Sequence, residues 1–244
     1  MEETGRFRVA TFNIQHGAKG DYGRGYPELV AEACKELNVD ILGLQEVDIG
    51  VPRSGKANLA EIAADATGMR YVFAKARTFR GRGQYGNALL VRGEIHDVEV
   101  IKLKGDHHKV KIAGHVFRPI SEPRNAIVAN IAVNGQVLAV GITHVGGEKR
   151  RQQLGRAAAA LVDRPFPKIL LGDFNLNLAA AQQCTGPYDL EVLKGPPTCP
   201  SWQPKHQIDH IALSGLRLCN ISTHPRLPIS DHLALVAEVE LPSR

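Results

Sequence analysis

The chain has 244 residues, of which 43% are hydrophobic, and carries a formal net charge of +5 at pH 7. This length allows one large domain with a well-buried core. Residues 1–15 mix charged and apolar side chains, and no later stretch approaches the roughly 18–20 apolar residues that span a membrane. We therefore expect a cytoplasmic protein without stable membrane insertion. Because no repeat or linker interrupts the sequence, we also expect a single domain over residues 1–244.

The cysteines and the basic residues narrow the function classes further. Cys34, Cys184, Cys199 and Cys219 form no Cys-x-x-Cys pair, so the sequence predicts neither a zinc site nor a disulfide framework but small buried side chains. The basic residues bunch, for example at Arg77, Arg80 and Arg82 and at Lys149–Arg156. Such bunching is compatible with an anionic substrate, although a solvated charged face is the more common explanation for one cluster.

Runs rich in β-branched residues and bounded by Gly, Pro, Asn or Asp predict strands. In chain order they are Arg8–Ile14, Ile41–Val47, Tyr71–Ala76, Asn87–Val91, Val98–Leu103, Asn125–Val133, Val137–Thr143, Lys168–Leu171, Ile208–Leu213 and Leu233–Leu241. Apolar residues at helical spacing predict helices over Pro27–Leu37, Asn58–Thr67 and Glu148–Val162. Some strands are apolar throughout and others alternate, which favours an α/β fold with a two-sheet core and outer helices over a simple barrel.

Polar and ionisable side chains recur where predicted strands meet loops. They are Asn13, Glu46, His144, Asp173, Asn175, Asp231 and His232. Each has an ordinary explanation when taken alone, because Asn and Asp favour turns and a single His is more often structural than catalytic. Their recurrence at strand ends is the signal that favours a common site.

Together these residues match the attack of water on a phosphoester. Glu46 can be the carboxylate that binds Mg²⁺, which prefers one or two carboxylates plus waters. His232 is suited to act as a base, with Asp209 as the acceptor that orients it and stabilises its cation. His144 and Asn175 are natural phosphate contacts, while Asp173 can position or deprotonate the nucleophile.

These residues also occur in the same order, and within the same short motifs, as in a known superfamily. The matching segments are Thr11–Ile14, Leu44–Val47, Tyr85–Ala88, Ile142–His144, Gly172–Asn175, Ile208–His210 and Ser230–His232. In this series the chain resembles the endonuclease/exonuclease/phosphatase superfamily, whose members have the deoxyribonuclease-I-like fold. Two motif positions distinguish the branches of the superfamily: Phe12 precedes Asn13, and Val47 and Asp48 follow Glu46. At these positions the chain is more similar to the small bacterial deoxyribonuclease-I-like and sphingomyelinase-like members than to the apurinic endonucleases.

The resemblance implies a four-layer sandwich of two mixed β-sheets flanked by helices. It implies one Mg²⁺ or Mn²⁺ ion on Glu46, with Asn13 and Asp231 close to it. The roles of the other site residues agree with those derived above, and the choice between Asp173 and His232 as proton acceptor stays open.

Arg124 can face substrate and Asn87 can contact His144, although surface or turn roles are favoured for both. His107, His108 and His115 fit a solvated loop better than a metal site, and a packed position is favoured for Trp202.

The predicted function is that of a metal-dependent hydrolase that cleaves a phosphoester by water attack, foremost a phosphodiesterase or nuclease. One alternative is a phosphomonoesterase acting on a small or lipid-derived phosphate. The other is a non-catalytic nucleic-acid-binding relative. The expected partner is a phosphate-containing substrate, with nucleic acid supported by the basic clusters, and no obligate protein partner is evident.

Overall fold

The structure is a computed structural model that describes residues 5–20, 23–79, 83–105, 122–225 and 227–241, and the backbone of 110–112 and 115–117. The strands of these residues are β1 (Arg6–Asn13), β2 (Ile41–Ile49), β3 (Arg70–Thr78), β4 (Gln84–Val91), β5 (Glu94–Leu103), β6 (Val110–Ile112), β7 (His115–Phe117), β8 (Arg124–Val133), β9 (Gln136–His144), β10 (Lys168–Asp173), β11 (Glu191–Val192), β12 (Asp209–Ser214), β13 (Arg217–Thr223) and β14 (Leu235–Glu240). The α-helices are α1 (Pro27–Leu37), α2 (Leu59–Thr67), α3 (Arg150–Ala159) and α4 (Leu178–Thr185).

Two mixed sheets of six strands each carry the fold. The first has the order β13-β14-β1-β2-β4-β3, and the second has the order β11-β12-β10-β9-β8-β5. Each sheet contains one parallel pair, β1 with β2 in the first and β9 with β10 in the second, while its other pairs are antiparallel. Because the two strands of a parallel pair run in the same direction, both of them end at the same edge of their sheet. Strands β6 and β7 form a separate hairpin.

The apolar side chains form three buried layers. One lies between the sheets and contains Val9, Leu89 and Leu171 among others. A second packs α1 and α2 on the outer face of the first sheet, and a third packs α3 and α4 on the outer face of the second. Since both faces of the central strands are covered, their apolar runs are nearly continuous, as in Ile41–Leu44. This arrangement confirms the predicted four-layer sandwich.

Some elements were not predicted. Strand β13 alternates polar and half-buried side chains at the edge of its sheet, so it lacks the apolar run that identifies a central strand. Helix α4 is short and rich in Ala and Gln, which hides its apolar stripe, although Asn177 caps it by accepting from the amide of Ala180. Strand β11 has two residues. The predicted third helix, Glu148–Val162, is shorter in the structure at Arg150–Ala159.

Other sequence expectations meet a mixed outcome. Cys34 is buried as expected, but Cys184, Cys199 and Cys219 are half-buried, and all four thiols are free. Arg80, Arg82, His107 and His108 lie outside the described residues, as does the side chain of His115. Within the described part of the chain, no helix is long and apolar enough to cross a membrane.

Candidate active site

Three predicted site residues lie in one row across the second sheet. Asp173 at the end of β10 is paired in register with His144 on the parallel strand β9 and with Asp209 on the antiparallel strand β12. Residues in register across neighbouring strands point to the same face of a sheet. The topology therefore brings together side chains that are 29 to 65 positions apart in sequence, counted as 173 minus 144 and 209 minus 144.

The Gly-Asp-Phe-Asn segment shows why each of its residue types is needed. A Cβ atom on Gly172 would lie 1.8 Å from the carbonyl oxygen of Thr143, so only glycine permits this close approach of β10 to β9. Phe174 is fully buried and stacks on His210, with ring centroids 5.3 Å apart. The backbone amide of Asn175 donates to Asp173 Oδ1 at 2.9 Å, which fixes the carboxylate.

The first sheet contributes Asn13 and Glu46. Asn13 ends β1, and Glu46 lies at an irregularity in the pairing of β2 with β4 between Leu44 and Val47. Asn13 Nδ2 donates to Glu46 Oε1 and to Asp173 Oδ2, in each case at 3.1 Å. One amide group thus joins a carboxylate of the first sheet to a carboxylate of the second, while its own oxygen accepts from the amide of Gln15.

Asp209 and His232 form a buried dyad. Asp209 Oδ2 lies 2.8 Å from His232 Nδ1, and the other ring nitrogen of His232 lies 3.9 Å from Asp173 Oδ2. The backbone amide of His232 donates to Ser230 Oγ, and Ser230 Oγ donates to the carbonyl of Asn13 at the end of β1. The imidazole is therefore held both by its carboxylate partner and by the end of the first sheet.

Arg124 fixes the chemistry of His144. Its guanidinium donates to His144 Nδ1 at 2.9 Å and pairs with Glu122 at 2.9 Å. Because an arginine only donates, Nδ1 must accept, and the neutral ring carries its proton on Nε2. Nε2 lies 3.4 Å from Asp173 Oδ2 and 3.4 Å from Asn175 Nδ2. The N–H groups of His144 Nε2 and Asn175 Nδ2 thus lie beside each other, and Asn175 Nδ2 also donates to the carbonyl of Val145 at 3.0 Å.

Several site residues have backbones in the left-handed region that favours glycine. The φ angles are +59° at Glu46, +49° at Asn175 and +73° at Ser230. A non-glycine residue in this region is uncommon and costs of order 1 kcal/mol or more unless the surroundings hold it there. These residues lie next to the hydrogen bonds described above, so the fold tolerates local strain in order to aim the side chains.

Burial and charge shift the pKa values of the cluster in opposite directions. Burial raises the pKa of Glu46, and burial followed by the charge of Asp209 raises the pKa of Asp173. Burial and the cationic Arg124 lower the pKa of His144 well below its ordinary value, which keeps its ring neutral. Burial alone would lower the pKa of His232, but the charge and hydrogen bond of Asp209 outweigh it and raise that pKa well above its ordinary value.

The carboxylates fit a hard divalent cation. Glu46 accepts a hydrogen bond from Asn13, and within the described ranges no lysine or arginine forms a salt bridge with it. Burial raises the pKa of the Glu46 carboxyl group, and a bound cation would offset this cost of burying its charge. Asp173, Asp209 and His232 form a second candidate set, since one potential ligand atom from each lies within 4.8 Å of the others. Because Asp209 Oδ2 already pairs with His232, we regard Glu46 as the better anchor.

The remaining predicted site residues are Asp231, Asn87 and Arg124. Asp231 is half-buried, and its carboxylate is near enough to raise the pKa of His16, whose shift is nevertheless downward because of burial and Arg53. Asn87 is buried, and its Nδ2 donates to Asn125 Oδ1 at 2.9 Å and to the carbonyl of Asn125. Arg124 opens strand β8 and is largely buried.

Sequence reasoning missed the supports of the site. Tyr85 is buried, and burial followed by the charge of Glu46 raises its pKa. Thr198 Oγ1 accepts from the amide of Asp209 at 3.3 Å. The prediction that Trp202 is packed is wrong, because the indole is 59% exposed. Its neighbour Ser201 takes the inward position instead. Tyr85 lies in the Tyr85–Ala88 motif of the sequence, and this motif was the signal by which its role in the site could have been found.

Two six-stranded mixed sheets with a carboxylate, amide and imidazole cluster at one edge define the class of proteins with the deoxyribonuclease-I-like fold. The sequence model of the Endonuclease/Exonuclease/phosphatase family matches residues 10–232. The chain therefore belongs to the endonuclease/exonuclease/phosphatase family. A search of curated protein sequences gives no significant match.

Solved structures share this fold at low sequence identity. An endonuclease/exonuclease/phosphatase from Beutenbergia cavernae is 18% identical with a TM-score of 0.74, over 97% of this chain and 72% of the other. One from Bacteroides vulgatus is 19% identical with a TM-score of 0.71, over 97% and 99%. The human Nocturnin catalytic domain with a bound sulfate anion is 17% identical with a TM-score of 0.66, over 99% and 96%.

Proposed function

We propose that this protein is a divalent-metal-dependent phosphoesterase that hydrolyses a phosphodiester by direct attack of water. The observation that carries the proposal is that ionisable side chains of both sheets meet at one edge of the sandwich. Asn13 ties the Glu46 carboxylate to Asp173, and Asp173 lies between His144 and the Asp209–His232 dyad. Family membership supports the same reaction class.

Glu46 is the proposed metal anchor, with Asn13 orienting its carboxylate, and the family resemblance assigns Asp231 to the same metal. At Glu46 a divalent cation, once bound, would supply charge neutralisation at a phosphate oxygen and at the leaving oxygen. The chain itself would supply two donors to a phosphate oxygen, His144 Nε2 and Asn175 Nδ2, which lie 3.4 Å apart. Nocturnin, a relative of the same fold, holds a bound sulfate, a tetrahedral anion of similar shape to phosphate.

The proton of the attacking water has two candidate acceptors in the same place. Asp173 Oδ2 and His232 Nε2 lie 3.9 Å apart, too far for a direct hydrogen bond but close enough for one water to contact both. Asp209 stabilises the cationic form of His232 that proton uptake produces. The raised pKa of His232 favours its cationic form at neutral pH, in which His232 donates a proton to the leaving oxygen and Asp173 is left to accept the proton of the water.

The proposal is tested with bis(p-nitrophenyl) phosphate and Mg²⁺. We expect the wild type to release nitrophenol, and we expect His232→Ala and Glu46→Gln each to lower kcat/KM by on the order of 10²–10⁴-fold. The matched control is Glu36→Gln, an exposed carboxylate on α1, which should behave as wild type. Equal rates in the wild type and both site variants would overturn the catalytic role.

A substrate panel separates the phosphodiesterase from its alternatives. It contains single-stranded and duplex DNA, RNA, sphingomyelin and small phosphomonoesters, each assayed with wild type and His232→Ala. Faster turnover of a phosphomonoester than of every diester would replace the diesterase with a monoesterase. Tight nucleic-acid binding without turnover of any substrate would instead favour a binding protein.

A further inference from the structure

The single tryptophan of the sequence is on the surface. Trp202 exposes 59% of its area, although an indole is a large apolar group that is usually buried or docked. Its segment, residues 198–206, contains no other exposed large apolar side chain, and Gln203 and Lys205 beside it are exposed and polar. Trp202 is therefore an isolated flat apolar face in a polar setting.

The segment that carries Trp202 is held firmly. The amide of Ser201 donates to the carbonyl of Asp231 at 2.7 Å, and Ser201 Oγ donates to the carbonyl of Ser230 at 2.9 Å. The amide of Leu233 donates to the carbonyl of Thr198 at 2.7 Å. An exposed indole on a segment fixed in this way loses little further freedom when it binds a ligand.

The same bonds place the backbone that carries Trp202 beside the Ser230–His232 segment of the active site. Asp231 and His232 belong to the motif that supplies the dyad histidine, and Ser201, bonded to Asp231, directly precedes Trp202. On its other side the segment supports the second member of the dyad, since Thr198 Oγ1 accepts from the amide of Asp209. A group attached to a phosphate bound in this site would thus come within reach of the indole.

We propose that Trp202 is a stacking platform for an unpaired nucleobase attached to the phosphodiester that the site hydrolyses. This inference rests on the proposed function and names its substrate class. A base needs one flat face, whereas a lipid surface needs several apolar side chains side by side, which this segment lacks. The base must be unpaired and unstacked, because both faces of a base within a duplex are already covered by its neighbours. Lys205, which is exposed, carries a positive charge on the same segment.

The test uses Trp202 as its own reporter, because no other tryptophan contributes to the fluorescence. The probes are a short single-stranded DNA oligonucleotide and an oligonucleotide of equal length and charge in which tetrahydrofuran abasic units replace the nucleosides. Titrations use the Glu46→Gln variant to limit turnover. We expect saturable quenching by the base-bearing strand, and affinity for the abasic strand weaker by about 5- to 150-fold, as the loss of base stacking predicts.

Steady-state kinetics separate a specificity role from a structural one. Trp202→Ala should leave kcat unchanged and raise KM for the base-bearing strand to the KM value of the abasic strand. Trp202→Phe should restore part of the difference between these two KM values. The matched control is Phe166→Ala, which removes an aromatic ring that is 61% exposed near Lys168, at the opposite end of β10 from Asp173. It should leave both KM values unchanged.

The outcomes distinguish this inference from the proposed function. Equal KM values for the two strands, unchanged by Trp202→Ala while wild type hydrolyses both, would overturn the stacking role and leave the phosphodiesterase intact. Quenching by duplex DNA or by phosphatidylcholine vesicles as strong as that by the single strand would also overturn it. Failure of the wild type to hydrolyse either strand or bis(p-nitrophenyl) phosphate would overturn the proposed function itself.

Discussion

At the scale of single residues, the site depends on pairs in which one side chain determines the state of another. Arg124 sets the tautomer of His144, and Asn13 holds Glu46 and Asp173 in place. Asp209 raises the pKa of His232, although among the described residues its second oxygen, Oδ1, is buried without a hydrogen-bond partner. An unsatisfied buried carboxylate oxygen is costly, which is consistent with a group kept for its charge rather than for stability.

The Asp209→Asn substitution separates charge from hydrogen bonding in the dyad. The amide keeps a polar atom beside His232 Nδ1 but no longer stabilises the imidazolium, so we expect kcat/KM to fall by on the order of 10²–10⁴-fold. The fall in kcat/KM is measured by hydrolysis of bis(p-nitrophenyl) phosphate. Asp189→Asn is the control, since Asp189 also accepts a single hydrogen bond, from Ser214 at the far end of β12. A change of less than about twofold in Asp209→Asn would remove the dyad from the mechanism.

Cys34 on α1 gives a pH-dependent stability. Burial raises the pKa of this thiol to about 12, whereas an unfolded cysteine ionises near roughly 8.5. The folded state therefore keeps a proton that the unfolded state releases, and stability falls as the pH rises above the unfolded value. Between pH 8 and 10 we expect wild type to lose about 1–2 kcal/mol more than Cys34→Ala, measured by urea unfolding. Parallel curves for the two proteins would contradict this.

At the scale of elements, the central parallel strands decide where the chemistry lies. Strands β9 and β10 end together, and the register of β10 with β12 adds Asp209 to the same row. The tight approach of β10 to β9 depends on Gly172, which faces the carbonyl of Thr143. The irregularity in β2 has a similar function in the other sheet, because an extra residue re-aims Glu46.

Gly172→Ala should damage both stability and activity. Its Cβ would lie 1.8 Å from a backbone oxygen, so β9 and β10 must separate, and we expect a loss of about 3 kcal/mol or more in urea unfolding. Gly135→Ala is the matched control. Gly135 also has a positive φ, of +72°, but no atom lies within 4 Å of the added Cβ, so it should lose only about 1–2 kcal/mol. Equal losses would show that backbone strain alone accounts for the effect.

At the scale of the whole molecule, the site exists only when the two sheets are docked. Asn13 and Glu46 belong to the first sheet, whereas Asp173 and Asp209 belong to the second. Gly43 permits this docking, since a Cβ there would lie 2.0 Å from Leu171 Cδ1 of the opposite sheet. A ligand that binds the assembled carboxylates should therefore stabilise the entire fold.

Mg²⁺ should raise the melting temperature. At 10 to 100 times the dissociation constant, binding to the folded state alone adds about 1–3 kcal/mol, or roughly 2–10 °C in Tm. The comparison is of thermal unfolding in MgCl₂ and in EDTA. We expect Glu46→Gln to lose the shift and Glu36→Gln to retain it. A shift of equal size in Glu46→Gln would place the metal elsewhere, with the Asp173, Asp209 and His232 set as the next candidate.

The sequence alone determined most of the strands along the chain and the residue types at their ends. The fold class and the chemical character of the site could be read from it because apolar runs, glycines and polar strand ends are local features. It could not distinguish Asn87, which bonds Asn125, from Arg124, which bonds His144, since both are single polar residues near strand ends. It also assigned Trp202 a packed position, because burial depends on neighbours that are distant in sequence.

Only the tertiary structure decided which of these groups meet. The register of β10 with β9 and β12 aligned His144, Asp173 and Asp209, and the docking of the sheets added Asn13 and Glu46. The pKa shifts followed from the same contacts, since desolvation and the distance between charges exist only in the folded chain. Local patterns determine what a residue can do, whereas pairing and packing over long sequence separations determine which residue does it.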